Sequence, residues 1–169
     1  MIRQIPPILA AAVLAAGLVA AAPARASDTP EPPAPGAAPG ADKLAAARKL
    51  VDARQWGPAM QELKRVDDRA SADWNNLMGY VSRKGPTPDL AASERYYDAA
   101  LRIDPRHRDT LEYSGELYLM KGDLPRAQAR LAALAGACAS ACPQYAQLKD
   151  AIARYQANGN KYVAAGNGW

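Results

Sequence analysis

Nine residues set the period of this chain. Ala59, Ser93 and Ala127 lie 34 positions apart, as do Leu63, Tyr97 and Leu131, and again Val66, Ala100 and Leu134. A small or apolar triplet returning at one fixed interval of this size marks an array of supersecondary units, each of which buries its free face only against a neighbour. Within each triplet the steps are four and then three residues, the rhythm of a single helical face. Ala, Leu, Arg and Gln fill the positions between, and no alternating strand pattern occurs, so residues 42–157 are expected to be all-helical. That stretch is long enough for one domain with a real core.

The two ends read differently. Arg3 precedes an apolar run from Ile8 to Ala22 that closes on Ala24-Arg25-Ala26, the layout of an export leader at residues 1–26, cut after Ala26. The run falls short of the roughly 20 apolar residues a permanent span needs, and no cysteine stands at the cut to carry a lipid. The expected destination is therefore the periplasm or the outside, with no stable membrane span after cleavage. Residues 27–41 are almost entirely Pro, Ala, Gly and Thr, too little apolar surface to repay ordering, and read as a disordered linker. Residues 158–169 hold Gly and Asn without helical periodicity and read as a flexible tail in which Tyr162 and Trp169 are free to dock.

The formal charge is +4, and Arg3 and Arg25 fall within the leader, leaving +2. Nucleic-acid binding needs a concentrated basic face, so that function class is excluded.

Leu111-Glu112-Tyr113-Ser114-Gly115-Glu116-Leu117-Tyr118, followed by Lys121-Gly122-Asp123 and then Ala127 and Leu131, resembles the tetratricopeptide repeat, a helix–turn–helix unit of this length. The resemblance implies that Gly115 lies where the paired helices touch, facing Ala127, that Tyr118 fills the space beside it, and that Gly122 takes the left-handed conformation ending the first helix. A second unit is recognisable from Gly79, Tyr97, Ala100 and Asp104-Pro105, with Ser82 where an aromatic is usual, Ser93 where alanine is usual, and two extra residues placed in the turn Gly85 to Asp89. A first unit rests on Ala47, Leu50, Ala59, Leu63 and Val66, with Trp56 in its turn as a cap over the core. Units are thus expected at about 42–71, 72–107 and 108–141. Pro143 opens a closing helix over 143–157, with the stripe Tyr145, Leu148, Ile152 and Tyr155 and with Asn158-Gly159 past its end. The fold expected is an all-α, right-handed helical solenoid of about three such units and a C-terminal capping helix.

The family uses the first helix of each unit to line a concave groove holding a partner's peptide or helix. By register the groove candidates are Arg48 and Asp52, then Asn76, Tyr80, Arg83 and Lys84, then Asp109, Glu112, Glu116 and Met120. Basic groups gather at the centre and acidic groups toward the cap, which suits a bipolar peptide. The variant of the family that clamps a C-terminal carboxylate needs Lys and Asn at inward sites where Leu44 and Arg48 stand here, so that activity is not expected.

Cys138 and Cys142 are the only cysteines. In an oxidising compartment they read as a disulfide pinning the closing helix to the last unit. The alternative is a copper or thiol-redox site, since Cys-x-x-x-Cys-Pro also resembles the site of thioredoxin-fold copper-delivery proteins and soft thiolates select Cu(I). Those proteins have a sheet, and His107, the single histidine, reads as an exposed turn residue. No nucleophile stands beside a base in the sequence pattern. The functional expectation is a non-catalytic module without a cofactor that captures a segment of an envelope protein; a homodimer burying the groove is a further possibility.

Overall fold

The computed structural model describes residues 42–138 and 142–164, and the expectations for the leader, the linker, Ala139 to Ala141 and Trp169 lie outside them. Among the described residues there are seven helices and no strand: α1 (Ala45–Asp52), α2 (Trp56–Val66), α3 (Ala72–Lys84), α4 (Leu90–Ile103), α5 (Arg108–Met120), α6 (Leu124–Ala137) and α7 (Pro143–Ala157). None of them is long and apolar enough to cross a membrane.

Local chemistry sets most of the boundaries. Asp89 and Asp123 open α4 and α6 by accepting the N–H three residues on, from Ala92 at 2.8 Å and Arg126 at 3.0 Å. Each satisfies one of the orphan donors of a helix start. Ser71 does the same for α3. Gly122 ends α5 with φ +76°, a conformation that costs a side chain about 1 kcal/mol or more. Arg54, two periods earlier, takes φ 55° in the same role between α1 and α2. Trp56 is not in that turn: it is the first residue of α2, half-buried against the N-terminal core.

Each helix packs on its chain neighbours, and α3 also touches α5 as α5 touches α7. One core joins Leu44, Ala47, Ala59, Leu63, Trp74, Leu77, Met78 and Val81; the other joins Leu111, Tyr118, Leu119, Ala127, Leu134, Leu148, Ala151, Ile152 and Tyr155. Trp74 is fixed in the first by its Nε1–H, which donates to the Leu63 carbonyl at 2.7 Å. Gly79 lies where α3 and α4 meet: the Ser93 hydroxyl donates to its carbonyl at 2.8 Å, and a Cβ there would stand 2.6 Å from the Tyr97 ring. The buried Ser93 hydroxyl is thus satisfied within the helix pair. Gly115 is also a close approach, but its nearest neighbour is not Ala127. A Cβ on it would meet Leu148 of α7 at 2.5 Å, because α7 presses into the same side of α5.

The sulfurs of Cys138 and Cys142 are bonded at 2.01 Å, with their Cα atoms 5.8 Å apart. They sit at the end of α6 and the start of α7, so the bond ties two helices that also pack on each other.

Candidate functional site

The register places the expected groove residues on α1, α3 and α5, and their exposure divides them. Asn76, Tyr80, Arg83, Glu112 and Glu116 are buried, each less than a tenth exposed. Asp52 is exposed, and Arg48, Lys84, Asp109 and Met120 are half-buried. Half of the residues meant to meet a partner are therefore inside the protein.

Arg83 and Glu116 form the centre. Nη1 donates to Glu116 Oε2 at 2.7 Å, and the two side chains are only 1% and 9% exposed. The guanidinium carbon lies 5.7 Å from the ring centres of both Tyr80 and Tyr113, within cation–π reach. The Tyr80 and Tyr113 rings meet at a tilt of 44° with their centres 4.8 Å apart, and Trp56 reaches Tyr80 at 6.1 Å. Despite its burial Arg83 stays charged, since the Tyr97 and Glu116 side chains hold its pKa above the usual value. Its Nε and Nη2 have no hydrogen-bond partner among the described residues. Arg83 of the basic centre and Glu116 of the acidic flank read from the sequence are thus joined in an internal ion pair.

Glu112, one turn before Glu116, is pushed up to about 8 by burial and by the charges of Glu116 and Asp109. The Gln147 amide of α7 lies 2.9 and 3.0 Å from its two oxygens, and with the amide nitrogen turned toward Glu112 it donates to both. A protonated Glu112 is served by the opposite amide orientation, its O–H donating to the Gln147 oxygen. The neighbouring Gln144 donates to Asp109 Oδ1 at 2.7 Å. Tyr162, from the segment after α7, is half-buried against the C-terminal core and is electrostatically coupled to Glu116 and Arg83. Part of the expected tail is therefore packed onto this face.

His107 is a correction of another kind. It is a bridge rather than an exposed turn residue, with a side chain 12% exposed. Nδ1 accepts the Thr110 N–H at 3.2 Å and so caps α5, which leaves Nε2 to donate to Asp73 Oδ1 at 2.9 Å. The hydrogen bond to His107 and the Arg48 charge hold the Asp73 carboxyl below its ordinary range. Arg48 donates to the same carboxylate at 3.1 Å, and the Thr110 hydroxyl donates to Asn76 Oδ1 at 3.0 Å. A chain of polar contacts therefore runs from α1 through α3 to α5. Its sequence signal was available: His107 lies 36 residues after the cap Ser71, the same step that separates Gly79 from Gly115.

Among the described residues no three His, Cys, Asp or Glu side chains gather as a metal site. No protein-family model, curated protein or solved structure matches this chain.

Proposed function

We propose that this chain is a non-catalytic interaction module of the tetratricopeptide kind, exported behind its leader, which holds a peptide or helix of an envelope protein along the face shared by α1, α3, α5 and α7. The observation that carries this reading is the pairing order. Helices pack as neighbours in three successive pairs, with Gly79 pressed against Tyr97 inside the second and with capping aspartates 34 residues apart opening α4 and α6. Helical arrays of this type leave one wall for recognition while each unit supports the next.

The buried members of the face, Asn76, Tyr80, Arg83, Glu112 and Glu116, hold the first helices at a fixed spacing in this reading. Partner contacts fall on the accessible members Arg48, Asp52, Lys84 and Asp109. A photo-reactive residue at Lys84 or Asp109 of the full chain, illuminated in envelope preparations of its host, tests this. One recurrent adduct from these positions, absent from Arg102 and Lys149 on other faces, is expected. Adducts from the control positions alone, or none from Lys84 and Asp109, would overturn the assignment.

A further inference from the structure

The repeat makes a comparison inside the molecule possible. Where α4 and α6 flank α5, the ground between them is crossed by their own side chains. Arg126 lies over the Tyr118 ring at 4.4 Å and donates to Glu94 Oε1 at 2.8 Å, Lys121 also pairs with Glu94, and Arg130 reaches Asp98 at 3.4 Å. That junction is covered.

One unit earlier, α2 and α4 flank α3, and every one of those positions differs. Glu94 and Asp98 correspond to Met60 and Lys64, and Arg126 and Arg130 to Ala92 and Tyr96, at 34 residues. Tyr118 corresponds to Ser82, at the 36-residue step of the first helices. Without the long arginines and the tyrosine the ground stays open. Two adjoining hollows of about 670 and 440 Å³ lie there, sharing Lys64, Met78, Ala92 and Tyr96. Together they run beside α3 from Trp74 to Gly85, about 16 Å or three helical turns.

The trench has two ends of different chemistry. Trp56, Met60, Val81, Ser82 and Pro86 line one end with mostly apolar and small side chains, with the α4 cap Asp89 at its edge, and methionine-lined surfaces adapt readily to partner side chains. At the other end stand Arg69 and Arg95 with the acid Asp67, and Lys64 lies where the two hollows meet. Arg69 is bonded to Asp67 at 2.8 Å, whereas Lys64 and Arg95 make no ion pair among the described residues.

We infer that this trench is a second docking surface, and that its occupant is a short amphipathic helix of another protein carrying bulky apolar residues on one face and carboxylates near one end. Three turns of such a helix match the trench in length, the apolar residues fill the space that Arg126 and Tyr118 fill at the next junction, and the carboxylates meet Lys64 and Arg95. The inference stands apart from the groove reading, since it uses none of the same residues.

A phage-displayed library of random 12-residue peptides, selected on the immobilised full chain, supplies the probe. Selected peptides are then synthesised and titrated by fluorescence anisotropy against three variants. Met60→Glu with Ala92→Arg copies the Glu94–Arg126 pair and closes the trench, Lys64→Glu reverses its charge, and Lys84→Glu alters the other face. Enriched peptides are expected to combine apolar residues at helical spacing with Asp or Glu. They should lose at least tenfold in affinity on the closed and charge-reversed variants, bind the Lys84 variant unchanged, and leave all circular dichroism melts intact. Absence of enrichment, peptides without carboxylates, or equal binding to the closed variant overturns the inference. So does light scattering that shows the chain dimeric and only the closed variant monomeric, for the occupant is then a second copy.

Discussion

Removing one partner of the Arg83–Glu116 pair and removing both should have opposite consequences. The two side chains are 1% and 9% exposed, in contact at 2.7 Å, with Arg83 Nε and Nη2 left without partners among the described residues. Bringing both ions out of water costs several kcal/mol each, and an incompletely hydrogen-bonded pair recovers that cost poorly. Arg83→Met leaves Glu116 as a lone buried carboxylate one turn from Glu112, and the expected loss is about 3–5 kcal/mol. In a domain of this size that is a fall of roughly 10–25 °C in melting temperature.

Arg83→Met with Glu116→Met removes both charges while keeping most of the volume, and its stability should lie within about 1 kcal/mol of the parent or above it. Urea unfolding followed by circular dichroism, with all four members of the cycle measured at pH 7, gives the coupling directly. A double variant as unstable as the sum of the singles would refute the claim that the pair's cost is desolvation.

Other consequences follow from the same packing. Glu112 has its folded pKa raised to about 8 from 4.5, so the folded state holds a proton the unfolded chain has released; stability is full below about pH 4.5 and falls as pH rises through about 8, by at most about 1.4 kcal/mol per pH unit. Glu112→Gln should flatten that slope in melts taken from pH 5 to 9, and an unchanged slope would place its origin elsewhere. Gly79→Ala and Gly115→Ala put a Cβ 2.6 Å from Tyr97 and 2.5 Å from Leu148 and should each cost about 1–3 kcal/mol by denaturant titration. Cys138→Ser opens a small loop and should cost at most about 2 kcal/mol, with faster amide exchange concentrated at the start of α7; intact-protein mass should show two protons fewer in the parent than in its reduced form.

The elements were legible and the depths were not. Pro143 and Asn158-Gly159 bracket α7, and Gly122 marks the left-handed end of α5, because each is local backbone chemistry. Helical register also tells which side chains share a face, and it put Tyr80, Arg83, Glu112 and Glu116 together. It carries no information on how closely the next first helix approaches. Here α3 touches α5 and α5 touches α7, so that face is covered by Tyr113, Gln147 and Tyr162, none of which belongs to the repeating pattern. His107 escaped for a related reason: its place 36 residues after the cap Ser71 marks a helix start, but its partners Asp73 and Thr110 come from different helices, and register does not reveal the bond to Asp73.

The junctions of α2 with α4 and of α4 with α6 are built alike and finished differently. The backbone step is shared, since Ser93 and Ala127 occupy equivalent places and Asp89 and Asp123 cap equivalent starts. What differs is side-chain length and charge at a few outward positions. Arginine at 126 and 130 with acids at 94 and 98 fills its own junction, through the Arg126 pair with Glu94 and the contact of Arg126 with Tyr118. Alanine at 92, serine at 82 and lysine at 64 leave apolar surface and, among the described residues, two cations without an ion pair along a trench. Exposed surface ion pairs add little stability on their own, typically under about 1 kcal/mol, so the fold does not require the first junction to be open or the second to be closed. Departure from the repeat at these positions therefore leaves the fold intact, and that freedom is what the docking proposal for the trench rests on.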